Sequence, residues 1–155
     1  LGNYALAMQI YTILMVFSLI LFKYLLPQDA TGVSNPQLKK IVILIAILIS
    51  GLSIILAPII IPQLFPEYVD AIIGVQILSL AVVPATIGYL YISKFLGLEK
   101  SKFVLIGRII ALSSLIVGML ILPGYYGVTG AAVAFVISSL CQTGFFIISK
   151  EIYVK

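Results

Sequence analysis

Residues 41–65 read IVILIAILISGLSIILAPIIIPQLF and carry no charged side chain. A helix needs about 20 consecutive, mostly apolar residues to cross the hydrocarbon core of a bilayer, and this run is longer than that. A spanning strand would alternate polar and apolar side chains over about ten residues, whereas this run is continuous. The rest of the chain has the same character. Its 155 residues are 63% hydrophobic and 9% charged, with a mean hydropathy of +1.27. Soluble domains run about 45–50% apolar and about 25% charged. A soluble fold of this length could not hide so much apolar surface, so lipid is the expected solvent.

Extending the same reading in both directions predicts helices over approximately 3–26, 40–64, 71–95, 103–122 and 127–149. The first lacks a basic leading segment and is too long for a secretory signal. The expected fold class is therefore all-α: a polytopic membrane helix bundle of five transmembrane helices, forming a single membrane domain over residues 1–155. The connections are short. PQDATGVSNPQL (27–38) is the only polar, turn-rich linker, followed by PEYVD (66–70), KFLGLEKSK (94–102) and PGYYG (123–127). In the last of these, Gly124 and Gly127 are expected to permit a tight reversal, because glycine accepts positive φ. Tyr125 and Tyr126 are expected at headgroup level, where amphipathic rings anchor.

The net charge is +4, and its distribution speaks for membrane orientation rather than for nucleic acid. Lys23, Lys39 and Lys40 flank the first connection, and Lys94, Lys100, Lys102 and Arg108 flank the third. Lys150 and Lys155 follow the last span, while the second and fourth connections contain no Lys or Arg. All basic residues thus fall on one side, which the positive-inside rule makes cytoplasmic. Glu67 and Asp70 fall on the other. The chain is expected to be a multi-pass protein of the cell (plasma) membrane, entering from outside and ending with a cytoplasmic C-terminus. An outward start at Leu1 rather than Met is expected of the end of a longer polytopic chain, with a small five-helix protein lacking its start as the alternative.

Membrane helices gain little hydrophobic energy from one another, so close approach relies on small residues. Gly130, Ala134 and Ser138 recur every four positions in the last span, with Gly107/Ala111 and Ser114/Gly118 in the fourth and Ala81/Ala85 in the third. These stripes read as packing faces or as walls of a cavity. Polar residues at membrane depth point more directly to function: Gln142 and Ser138 in the last span, then Thr143, Ser139, Gln76, Gln9, Tyr11, Ser50 and Ser53. A buried glutamine also serves simply to bond a neighbouring helix. Arg108 is the one charge well inside a span, about five residues from its cytoplasmic end. It reads either as an interfacial anchor that snorkels to the headgroups or as a phosphate-facing cavity residue. Pro58, Pro62 and Pro84 each remove a backbone donor within a helix.

One cysteine, Cys141, and no histidine exclude a disulfide framework and a Cys/His metal site within these residues. There are no paired carboxylates at membrane depth, no nucleophile–base constellation and no phosphate-binding glycine loop. No enzymatic activity, no cofactor and no metal are therefore expected.

Three stretches resemble a known family. PIIIPQLFPEYVDAIIGVQILSLAVVPATIGYL (58–90) is similar to the segment of polysaccharide-export flippases where a helix ends in a Pro-rich, Leu-Phe-containing outer loop. SKFLGLEKSK (93–102) resembles their cytoplasmic loop before the penultimate helix, and PGYYGVTGAAVAFVIS (123–138) resembles their last hairpin. The family is the Wzx-like polysaccharide biosynthesis branch of the multidrug/oligosaccharidyl-lipid/polysaccharide transporter superfamily. Pro66 departs from its pattern, which often has Gly after Leu-Phe.

The resemblance implies most of the C-terminal lobe of a 12- or 14-helix transporter, its partner being the N-terminal lobe of the same protein. It implies flipping of a polyprenyl-(pyro)phosphate-linked oligosaccharide from the cytoplasmic to the outer leaflet by alternating access, among membrane lipids and without nucleic acid. Coupling to an H⁺ or Na⁺ gradient stays open. Arg108 would then receive the phosphate, since Arg offers a planar fork of donors, with Lys23 and Lys94 second and with Gln142 and Ser138 as candidates for the sugar. The alternatives are a multidrug/cation antiporter of the same superfamily, which needs a membrane-embedded acid, and a non-transporting scaffold for polysaccharide assembly.

Overall fold

The computed structural model describes residues 2–32 and 36–153, so Leu1, part of the first linker and Lys155 lie outside the described residues. It is helical almost throughout. α1 covers Gly2–Ala30, α2 Pro36–Leu64, α3 Ala71–Gly97 and α4 Ser101–Tyr153, with a single 3₁₀ turn over Pro66–Tyr68. All four α-helices are long and apolar enough to cross a membrane. Their outward faces carry exposed Ile and Leu, among them Ile13, Leu48, Ile55, Leu105 and Leu120. Lipid contact gives such faces an apolar surrounding that water would not.

α3 is the hub. The most apolar 18-residue stretch of α3 is 56% buried, against 17% in α1 and in α2. Small and hydroxyl side chains let its neighbours approach. Ser18 of α1 and Thr86 of α3 share a buried hydrogen bond of 2.7 Å. From α2, Ser50 donates to the Ser79 carbonyl at 2.7 Å, and Ser79 Oγ lies 2.9 Å from Ser53 Oγ. Among hydrocarbon, a polar group without a partner costs several kcal/mol, so these hydroxyls act as fasteners. Gln76 does so at a defined vacancy. Pro58 has no N–H to offer the Ile54 carbonyl one turn back, and Gln76 Nε2 donates to that carbonyl at 3.1 Å. The polar residue and the proline are two halves of one repair.

α4 is interrupted at Gly127, whose φ of 55° and ψ of −131° are not helical. Gly127 thus takes the positive φ expected of it, whereas Gly124 is helical. The two arms lie against each other in opposite directions. Gly130 meets Leu122, Gly118 meets Ala134, Ser138 donates to the Ala111 carbonyl at 2.7 Å, and Gly107 meets Phe146. As one position rises the other falls, which is the register of an antiparallel pair. Gly107, Gly118, Gly130 and Ala134 are therefore contact positions between the two arms of α4.

Three expected boundaries are corrected, one of them at 123–127, where helix continues up to the break at Gly127. The linker predicted over 27–38 is mostly helix: α1 continues through Pro27 to Ala30. The stop is Gly32, at φ 77°. The last turn of α1 is held from outside. Asp29 is buried, accepts from Lys39 Nζ at 2.7 Å and from Ser93 Oγ at 2.7 Å, and its backbone passes so close to Gly97 that a Cβ there would meet it at 2.6 Å. Asp29→Asn should lower the thermal midpoint of the detergent-solubilised protein, since hydrogen bonds to a charged group contribute about 1.5–3 kcal/mol each. An unchanged midpoint would show that the pair does not hold the helix end.

The third connection shortens likewise, to the residues between Gly97 and Ser101. The described lysines lie at or near one set of helix ends: about two turns before the end of α1, in the last turn of α3, in the first turns of α2 and α4 and just before α4, and at the end of the second arm. Glu67 and Asp70 stand at the opposite end, between α2 and α3.

Candidate functional site

A cavity of about 540 Å³ lies between α1, α3 and both arms of α4. α1 contributes Tyr11, Thr12, Met15 and Leu19; α3 contributes Ala85, Tyr89 and Ile92. The first arm of α4 supplies Arg108, Ala111, Leu112 and Leu115, and the second arm Phe135, Ser138, Ser139 and Gln142. These residues meet because the reversal at Gly127 folds the second arm back along the first. Arg108 and Gln142 are far apart in sequence and line one space.

Arg108 stands seven residues into α4, roughly 10 Å along the helix at 1.5 Å per residue. Its guanidinium carbon lies 5.8 Å from the centroid of the Tyr89 ring, within the range where the negative face of an aromatic ring attracts a cation. Among the described residues no carboxylate stands within ion-pair distance of it. The positive charge is thus placed but not neutralised. Tyr89 in turn packs on Phe22, ring centroids 5.6 Å apart, and Tyr11 meets Phe135 edge-on at 4.9 Å. Aromatic pairs thus form part of the cavity wall.

Gln142 lines the cavity, and its Nε2 is buried without a hydrogen-bond partner among the described residues. An unsatisfied buried amide costs about 1–3 kcal/mol. Ser138 is differently placed. Its proton goes to the Ala111 carbonyl, so toward a ligand it offers only acceptor capacity. The Ser139 hydroxyl donates to the Phe135 carbonyl at 3.1 Å, within its own helix. Thr143 faces away, toward α3, donating to the Pro84 carbonyl at 2.7 Å.

Of the residues singled out from sequence, Arg108, Gln142 and Ser138 come together here. Lys94 does not. It lines a separate cavity with Lys39 and Lys150 at the end of the bundle. Lys23 is exposed and lines neither cavity. Tyr89 was not singled out, and a Tyr inside an apolar span was the signal that could have marked it. Asp29 was hidden by the assignment of 27–38 to a linker.

The lining combines a cation, an unpaired amide donor, hydroxyl and phenol oxygens, and apolar Leu and Met side chains. Such a surface is complementary in its chemistry to an amphiphilic anion. It holds no nucleophile beside a base, and among the described residues no group of three or more His, Cys, Asp or Glu stands together for a metal ion. No family model, curated protein or solved structure matches this chain.

Proposed function

We propose that this chain is part of a membrane transporter that flips a polyprenyl-(pyro)phosphate-linked oligosaccharide from the cytoplasmic to the outer leaflet, as Wzx-like flippases of the multidrug/oligosaccharidyl-lipid/polysaccharide superfamily do. The observation that carries the reading is the shared wall of Arg108, Tyr89 and the unpartnered Gln142 amide beside Leu112 and Leu115. A sugar head cannot cross hydrocarbon without losing hydrogen bonds to water, at a cost of several kcal/mol per polar group. A polar cavity replaces that water, the cation meets the phosphate, and the apolar flank tolerates the lipid. The three sequence stretches that resemble the family support the same assignment.

In this reading the two arms of α4 are separate crossings, making five spans. The bundle is then most of a second lobe, and a first lobe from the same protein supplies the facing wall. The end rich in Lys and Arg is cytoplasmic, in the cell membrane. No bond is made or broken, no cofactor takes part, and an H⁺ or Na⁺ gradient supplies the drive. The antiporter alternative needs a carboxylate free to exchange an ion. Asp29 is the buried carboxylate among the described residues, and Lys39 and Ser93 already hold it.

The decisive experiment reconstitutes the full-length protein in vesicles with a fluorescent lipid-linked oligosaccharide. Appearance of the glycan on the outer face, dependent on an imposed gradient, is expected. Export of organic cations instead would identify an antiporter, and neither activity would leave the scaffold. Orientation is tested separately in a cysteine-free background with Cys141→Ser. An impermeant reagent applied outside intact cells should label Tyr125→Cys and spare Lys102→Cys, and the reverse pattern would invert the topology.

A further inference from the structure

A second cavity, of about 280 Å³, opens at the basic end of the bundle, apart from the one that holds Arg108. Lys39 of α2, Lys94 of α3 and Lys150 of α4 line it, with Tyr91, Ile43 and Ile87. Three lysines from three different helices thus line one space, although like charges repel. Asp29 compensates part of this, binding Lys39 at 2.7 Å. Lys150 lies over the Tyr91 ring, 5.9 Å from its centroid. Among the described residues neither Lys94 nor Lys150 has a carboxylate within ion-pair distance. Two lysines therefore border the cavity without an ion pair.

The cavity is also polarised along the helix axes. Ile43 lies one turn deeper into the bundle than Lys39 on α2, and Ile87 about two turns deeper than Lys94 on α3. A cationic mouth opens onto an apolar floor. A free anion would use only the mouth, whereas a molecule with a phosphate at one end and hydrocarbon at the other uses both.

We propose that this cavity binds an anionic phospholipid, its headgroup phosphate among Lys39, Lys94 and Lys150 and an acyl chain against Ile43 and Ile87. The phosphate oxygens accept charge-assisted hydrogen bonds from the ammonium groups, and basic pockets between membrane helices are suited to such headgroups. The site rests on the chain lying in a membrane. It does not rest on transport, so its test is read without any flipping assay.

The test uses the whole chain in neutral detergent, with lipid binding followed by native mass spectrometry and by the thermal midpoint. Phosphatidylglycerol should bind and raise the midpoint, while phosphatidylcholine and inorganic phosphate should do neither. Lys94→Gln with Lys150→Gln should weaken phosphatidylglycerol binding about thirty-fold, near five-fold for each lysine. Lys40→Gln with Lys102→Gln removes the same charge from exposed positions at the same end, and should change binding by no more than about two-fold.

If both pairs bind alike, net charge alone is at work and the site is overturned. If inorganic phosphate raises the midpoint and competes the lipid away, the cavity takes a soluble anion and the lipid assignment is overturned. Circular dichroism checks that the glutamine pair is folded. Lys94→Arg with Lys150→Arg keeps both charges and should retain binding, and loss of binding there would also overturn the proposal, which keeps the test decisive if the glutamine pair unfolds.

Discussion

Gly130→Leu should open the α4 hairpin and produce the largest loss of stability among single substitutions at its packing face. A Cβ at this position would meet the carbonyl group of Leu122, at 2.6 Å from its carbon, and the Pro123 nitrogen at 3.0 Å. These are backbone atoms and cannot rotate aside. The arms must separate, and separation loosens Gly118 from Ala134 and the Ser138 bond to the Ala111 carbonyl. Overpacking costs about 1–3 kcal/mol and occasionally more, and a lost hydrogen bond adds about 1 kcal/mol. At about 2–4 °C per kcal/mol, the thermal midpoint in detergent should fall by roughly ten degrees. Gly124→Leu is the control, because nothing lies within 4 Å of a Cβ there, and it should stay within about 0.5 kcal/mol. Equal losses at both positions would show that the midpoint reports helix propensity near the turn and not the hairpin contact.

Arg108→Lys should cut flipping by about ten-fold or more in the full-length protein while leaving its amount in the membrane unchanged. A cation that only snorkels to the headgroups tolerates lysine, since either side chain carries its charge to the interface. A cation that receives a phosphate through a two-pronged set of donors does not, because lysine loses that geometry. Loss of one charge-assisted hydrogen bond, about 1.5–3 kcal/mol, corresponds to a factor of ten or more. Tyr89→Phe keeps the ring beneath the guanidinium and should be nearly silent, whereas Tyr89→Leu should reproduce part of the Arg108 defect. If Arg108→Lys and Arg108→Gln both flip normally, Arg108 is an anchor, and recognition of the head falls to the Gln142 side of the cavity.

Much of the molecule is legible in its sequence. The apolar runs located the helices because crossing hydrocarbon is a requirement on length and composition alone. The reversal at Gly127 was visible because positive φ is cheap mainly for glycine. The error over 27–38 has an equally local origin. Pro27 and the polar residues after it resemble a linker, but α1 runs through them to Ala30, with Asp29 bonded to Lys39 and Ser93 and seated against Gly97. Gly32 carried the true stop signal. Gln76 shows the converse case: as a polar residue at membrane depth it resembled a functional pointer, and its partner is the carbonyl that Pro58 leaves free.

Sequence by itself determined that the chain forms long apolar helices and which ends collect Lys and Arg, because transfer into lipid and charge placement are properties of residues taken one at a time. Only the tertiary structure decided which faces meet. The rotation of each helix about its axis, and the register of one arm of α4 on the other, depend on pairs of distant residues fitting together at close range. That fit brings Arg108, Tyr89 and Gln142 to one cavity and sends Lys94 to another with Lys39 and Lys150. No spacing within a single helix contains that information.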